Sequence, residues 1–337
     1  MKFFKVLIFL SILIVLIYIG LCALAPKSLD TTRQTTIDAP PTLVFNLVNN
    51  LPSWEKWLPC TKLDTTMKFV YSDKKEGVGA SYSWTSENMV DGTVKIIESE
   101  KNKSLKTELI FDGKGSSNGI WDISQEENGT RVSWGMKSDN DVNFFMRGVM
   151  FAKGTKTRME NNFDKGLAAI KEIAESRKNG EYNGYKINTV EMPEKHYVLS
   201  RAEVSIDKVQ QFYVQSLSSI FTKIQPAGVE IDGMPSSLFF KWDESKRMTD
   251  MAASIPLTKP AAINGTKSLT ISAKQALQID YYGDTSKTLE AHMAMEEYLN
   301  DNGLLSDVPV VEEYVSDPEK VLDPSKYLTK ITYYLAN

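Results

Sequence analysis

A chain of 337 residues exceeds the ~250–300 at which a single core stops growing, so two domains and an appendage are expected. Its 39 basic and 43 acidic residues are mixed throughout and leave a net charge of -4, which argues against a phosphate-backbone binder; no nucleic-acid partner is expected. Two cysteines, Cys22 and Cys60, and two histidines, His196 and His292, are too few for a Cys/His metal cluster, and neither a metal nor a cofactor is expected.

The first element is the apolar run over residues 6–25, VLIFLSILIVLIYIGLCALA. It carries no charge over about 20 residues, enough to cross ~30 Å of hydrocarbon as a helix. A signal peptide is the rival reading, because Ala23-Leu24-Ala25 has the small-x-small form of a cleavage site. The run is longer than the ~7–15 apolar residues of a signal sequence, and Pro26 would follow the cut directly, which favours an uncleaved anchor over residues 1–26. Lys2 and Lys5 place the short N-terminus in the cytoplasm, against Lys27 and Arg33 on the other flank. A single-pass membrane protein with its soluble part on the extracytoplasmic side is the expectation.

Residues 31–38 alternate like a strand and run into Ala39-Pro40-Pro41, a helix start with proline in the first turn. Leu43, Val44, Leu47 and Val48 then repeat at helical spacing, and Leu51-Pro52-Ser53-Trp54 opens a second short helix that carries Trp57. Over residues 65–137, turn residues at 73–79, 87–88, 101–103, 112–115 and 126–129 punctuate six antiparallel strands. Met159, Phe163, Leu167, Ile170 and Ile173 form the apolar stripe of a long amphipathic helix. Strand, small helices, meander and long helix make an α+β helix-grip architecture, with a curved sheet around the last helix. Five of the six tryptophans, Trp54, Trp57, Trp84, Trp121 and Trp134, belong to this part; they either line a cavity or fill a core, and lining by two or more is expected.

The run Thr36-Ile37-Asp38-Ala39-Pro40-Pro41-Thr42-Leu43-Val44-Phe45, followed by Trp54-Glu55-Lys56-Trp57, resembles the polyketide cyclase and START-like superfamily, also called SRPBCC. The resemblance assigns residues 27–178 to a START-like domain and implies a cavity for an apolar ligand, with no fixed catalytic residue.

Residues 175–184, ESRKNGEYNG, are polar and carry two glycines, so they read as a linker. Beyond them the pattern comes twice. Residues 186–203, 206–224, 237–242 and 248–255 read strand, helix, strand, strand, and residues 269–282, 285–299, 308–315 and 328–335 repeat that order. Two tandem β-α-β-β units imply a pseudo-twofold with a cleft between the two helices.

Tyr281-Tyr282-Gly283, Glu290-Ala291-His292, Glu312-Glu313-Tyr314-Val315-Ser316-Asp317-Pro318 and Leu328-Thr329-Lys330-Ile331 resemble the GyrI-like family, the effector-binding domains of AraC-type and MerR-type multidrug regulators. The resemblance covers residues 185–337 and implies that Glu312 lies in a ligand cleft with Tyr314 on its face. It also implies a possible activity, since the family includes members that hydrolyse strained cyclopropane-bearing compounds with a Glu and an aromatic residue.

A carboxylate in an aromatic-walled cleft attracts a cationic or polarised ligand. Glu312 and Tyr314 are two apart in a strand and share a face, with Glu313 pointing the other way. His292 is a candidate for the cleft lining, although a lone helical histidine is more often structural. Phe240, Trp242 and Tyr282 are candidates for the aromatic wall, although strand aromatics more often belong to cores. The sequence contains no nucleotide-binding, nucleophile-elbow or zincin motif. The expected function is a membrane-anchored binding protein for small hydrophobic or cationic molecules, the alternative being a cofactor-free hydrolase of reactive hydrophobic molecules at Glu312.

Overall fold

A computed structural model describes residues 2–113, 115–138, 141–317 and 319–336; Lys114 of the expected turn at 112–115, Pro318 of the Asp317-Pro318 pair and the Lys2 side chain lie outside the described residues. The chain divides into two compact units, Met1–Lys178 and Asn179–Asn337.

In the first unit, helix α1 (Lys2–Leu24) is followed by strand β1 (Thr31–Ile37) and helix α2 (Pro41–Asn49), which begins on Pro41 and buries Leu43, Val44, Phe45, Leu47 and Val48. The Asn50 side chain caps a 3-10 turn that leads into α3 (Trp54–Trp57), and α4 (Pro59–Leu63) follows. Six strands come next: β2 (Lys68–Tyr71), β3 (Ser81–Thr85), β4 (Gly92–Glu100), β5 (Ser104–Phe111), β6 (Gly115–Glu126) and β7 (Gly129–Ser138). With β1 they form one antiparallel sheet in the order β1-β7-β6-β5-β4-β3-β2. The unit closes with α5 (Phe144–Ala152) and the long α6 (Thr155–Lys178). Helix α5 has no counterpart in the sequence reading.

The tryptophans fill the space on the helix side of this sheet. Trp121 stacks on Trp134 at 4.6 Å, Trp134 stacks on Phe163 of α6 at 4.1 Å, and Trp57 meets both tryptophans edge-on. Helix α6 comes so close at Gly166 that a Cβ there would stand 2.7 Å from the Trp134 ring. Two cavities of about 170 Å³ lie elsewhere, and neither is lined by a tryptophan. The rings therefore act as core, not as cavity walls: aromatic faces and edges pack against one another where the resemblance implies an open space.

In the second unit, β8 (Glu181–Tyr182) and β9 (Tyr185–Lys186) form a small hairpin, so the stretch read as a linker is ordered. Residues 175–178 are the last turn of α6, Asn183 and Gly184 both take the positive φ that a two-residue hairpin turn requires, and Tyr182 is buried against Tyr298.

The elements that follow are β10 (Asn188–Met192), β11 (Lys195–Ser205), α7 (Val209–Ile224), β12 (Ser236–Asp243), β13 (Met248–Leu257), β14 (Lys267–Ile271), β15 (Lys274–Tyr282), α8 (Leu289–Asn302), β16 (Val310–Tyr314) and β17 (Leu328–Tyr334). Their eight strands make one antiparallel sheet, β10-β15-β17-β16-β12-β13-β11-β14. The two β-α-β-β repeats meet at β12 and β16, where Ser237 is directly opposite Glu312.

Each repeat's long first strand is broken, at residues 193–194 and 272–273, and the halves pair at opposite ends of the sheet. Three residue steps from Met192 to Lys195 span at most about 11 Å. Six strand spacings in a flat sheet would separate β10 from β11 by about 29 Å. The sheet must curl. Its inner face gathers Tyr197, Leu199, Leu238, Ala252, Ala276, Val311 and Tyr334 from six strands into one core. Its outer face carries α7 over Val198, Ala253 and Ile255, and α8 over Leu277, Ile279 and Ile331.

One buried carboxylate staples the first unit. Asp64, just past α4, accepts from Ser86 Oγ at 2.5 Å, from Thr66 Oγ1 at 2.6 Å, from the Thr66 N–H at 2.9 Å and from Asn88 Nδ2 at 3.1 Å. The Ser86 and Thr66 donors hold its carboxyl well below the usual carboxylate range. A folded value below the unfolded one, which is about 3.9, gives stability that is present above that pH and lost as pH falls through the folded value. Asp64→Asn is therefore expected to melt earlier than the parent at neutral pH, and the difference should shrink below about pH 4. Circular dichroism melts across that range check it.

Candidate functional site

The site is built on the outer face of the seam between the two repeats. Strand alternation points Glu312 and Tyr314 to the helix-bearing face, while Val311 joins the inner core and Glu313 reaches the Met234 N–H on that other side. Glu312 is buried, its side chain 5% exposed, and His292 on α8 above it is 22% exposed.

Both carboxylate oxygens of Glu312 have partners. Oε1 lies 2.7 Å from His292 Nε2, and Oε2 accepts the Tyr314 hydroxyl at 2.9 Å. The Tyr314 oxygen is also 2.9 Å from Ser237 Oγ on β12, and His292 Nδ1 is 2.9 Å from the Tyr333 hydroxyl on β17. A continuous polar chain, Ser237–Tyr314–Glu312–His292–Tyr333, thus runs across three strands and a helix within an otherwise apolar layer.

Tyrosines surround the carboxylate. Tyr213 of α7 meets the Tyr314 ring edge-on at 5.2 Å. Burial first, and then the Glu312 charge, raises Tyr213 and Tyr314 well above the usual phenol range. Tyr333 is raised by burial, by Glu296 and then by Glu312, and Tyr281 by burial, with Glu312 the last of several acidic neighbours. Four phenols from both repeats therefore sense one carboxylate.

The structure brings Glu312, Tyr314 and His292 together. Tyr282 is not with them: it is 63% exposed and faces away from α8, and the adjacent Tyr281 packs beneath that helix. Phe240 is also elsewhere. Alternation from Leu238 carries it to the inner core, where the Arg201 guanidinium lies 3.4 Å over its ring. A β-bulge between Phe239 and Lys241 separates it from Trp242, which contacts Phe239 at 5.9 Å; Phe239 lies two residues from Ser237 and shares its face. The sequence reading missed Ser237, Tyr213, Phe239, Tyr281 and Tyr333. Of these, Tyr333 could have been found, since it lies two residues beyond Ile331 and so on the same face of one strand. Among the described residues no group of three or more His, Cys, Asp or Glu side chains could hold a metal ion.

Residues 28–175 match the family described as polyketide cyclase / dehydrase and lipid transport. The match supports small-molecule binding by this part of the chain. No curated protein sequence matches it. Among solved structures, the C-terminal domain of EcmrR is similar with a TM-score of 0.41 and 16% identity, over 45% of this chain and 98% of that one. EcmrR in complex with DNA has a TM-score of 0.42 and 15% identity, over 59% and 74%. A hydrolase from Listeria innocua has a TM-score of 0.32 and 18% identity, over 44% and 91%.

Tyr314→Phe removes the hydroxyl that joins Ser237 to Glu312 and leaves a buried carboxylate oxygen without a donor. A loss of about 1–3 kcal/mol is expected in the stability of the second unit. Hydrogen exchange of the β12 and β16 amides along a urea series would measure it.

Proposed function

We propose that the chain is a membrane-anchored receptor for small hydrophobic or cationic molecules, which it takes up at the Glu312 cleft. In this reading residues 1–26 are the anchor, 27–178 the START-like domain and 185–337 a GyrI-like effector-binding domain, with no nucleic-acid partner. The observation that carries it is a buried carboxylate ringed by Tyr213, Tyr281, Tyr314 and Tyr333. Negative ring faces around a desolvated carboxylate favour a lipophilic cation over water or an anion. His292 holds the carboxylate through Nε2, so an entering cation replaces an internal partner and does not meet a bare charge.

Helix α1 has the length and composition of a membrane span, and a signal sequence would meet the same description. The packing around its end supports an anchor. Cys22 is fully buried and Ala25 nearly so, and Cys22 Sγ seals the surface of Gly148 on α5. Cleavage after Ala25 would strip that cover away. The lysines at 2 and 5 support an extracytoplasmic location for both units.

Glu312→Gln keeps the shape and removes the charge. Binding of tetraphenylphosphonium, followed by calorimetry on the detergent-solubilised chain, should weaken by about 1–3 kcal/mol, roughly 5- to 150-fold, while a neutral aromatic of similar size changes little. Glu313→Gln should leave both unchanged. Equal losses at the two positions would overturn the assignment of the cleft.

The 2.7 Å contact between Glu312 and His292 favours one second reading, a cofactor-free hydrolase in which this pair positions and deprotonates water. Turnover of strained, hydrophobic electrophiles that vanishes in both Glu312→Gln and His292→Gln would support it. Turnover that survives both substitutions would exclude this pair.

A further inference from the structure

Helix α5, FFMRGVMFA, is fixed to the end of α1. The Tyr18 hydroxyl donates to the Phe145 carbonyl, Cys22 Sγ lies 3.8 Å from the same oxygen, and the Val142 N–H donates to the Lys27 carbonyl at 2.8 Å. Gly148 makes this close approach possible: a Cβ there would stand 2.5 Å from Cys22 Sγ and 3.1 Å from the Tyr18 ring. The α5 side chains around the contact stay uncovered, with Phe144, Phe145, Met146 and Phe151 exposed by 38%, 61%, 51% and 52%. Phe144, Gly148 and Phe151 follow the i, i+4, i+7 spacing, so the apolar surface of α5 continues that of α1.

The depth of α5 follows from the same contacts. The 22 residues Phe3–Leu24 make a helix about 33 Å long, close to the ~30 Å of a hydrocarbon core. Cys22 is about 3 Å and Tyr18 about 9 Å before Leu24 along the axis at 1.5 Å per residue. Both reach the Phe145 carbonyl, so Phe145 is held below the end of the span, within the ~5–10 Å at which interfacial helices lie. Just beyond α5 come Lys153, Lys156 and Arg158, all exposed, whose charge suits a surface of lipid phosphates.

We infer that α5 is a second membrane element: an interfacial helix that lies in the headgroup boundary beside the exit of α1, with Phe144, Phe145 and Phe151 in the acyl layer and Lys153, Lys156 and Arg158 on the phosphates. The occupant of this face is phospholipid. Two attachments, one spanning and one lying flat, fix the depth and tilt of the START-like domain on the bilayer, which a single flexible tether would leave free. The inference rests on α1 crossing a membrane.

The test uses the full chain in phosphatidylcholine vesicles that contain phosphatidylglycerol, with benzoylphenylalanine placed singly at position 145, 151, 13 or 70. Position 13 lies within α1, and position 70 replaces Val70, a 72% exposed residue of β2 far from α1 in sequence. After irradiation, mass spectrometry should find lipid adducts at 13, 145 and 151 and none at 70. Lipid adducts at 13 with none at 145 and 151 would overturn the role of α5 and leave the anchor intact. Protein adducts at 145 and 151, to a second copy or to residues 179–337, would overturn it in favour of a protein partner. No lipid adduct at position 13 would remove the anchor and this inference together. Lys153→Glu with Lys156→Glu should lower the yield at 151 and spare that at 13.

Discussion

A two-residue tether governs the second unit. Because β10 and β11 are joined by so little chain and yet stand six places apart in the sheet, the sheet has one way to satisfy its hydrogen bonds, which is to roll up. Rolling gives an inner face crowded with side chains from six strands and an outer face too convex for one helix to cover. Helices α7 and α8 therefore take one flank each, over separate apolar clusters, and the central strands β12 and β16 are left at the gap. Those two strands carry the polar side chains Ser237, Glu312 and Tyr314.

What occupies that gap is a carboxylate with internal partners, Glu312 held by His292 and Tyr314. Such an arrangement removes the penalty of leaving a charge buried and unpaired, and keeps the folded unit stable before any ligand arrives. Under the proposed function it would make recognition an exchange. On that proposal a ligand has to offer the carboxylate a better partner than imidazole, which favours molecules that bring positive charge.

Much of this was legible in the sequence wherever one local rule sufficed. Turn residues marked the six strands of the first unit, and the spacing from Phe163 to Ile170 marked the α6 stripe. Period two put Glu312 and Tyr314 on one face. What stayed hidden depended on partners far along the chain. Helix α5 is nine residues long, too short for its apolar spacing to stand out in the sequence, and its packing on Tyr18 and Cys22 is what fixes it. The Phe239/Lys241 bulge lies in the pairing with β13, and its displacement of Trp242 from the face of Phe240 cannot be read from strand alternation. The pairing of His292 with Glu312 needs the rotation of a helix over a sheet, which neither segment specifies alone. The break at Pro193-Glu194 carried a proline as a signal, whereas Ser272-Ala273 carried none.

The partition of tryptophan between the units has an optical consequence. Trp54, Trp57, Trp84, Trp121 and Trp134 are buried within one aromatic core, with two rings stacked nearly parallel, so their excited states are coupled and their near-ultraviolet dichroism is that of a rigid assembly. Trp242, 46% exposed and in contact with Phe239 beside the cleft strand, is optically separate and emits to the red of the others. Each unit thus carries its own built-in chromophore: excitation at the red edge selects the cleft, and exciton dichroism follows the integrity of the helix-grip core, without any label.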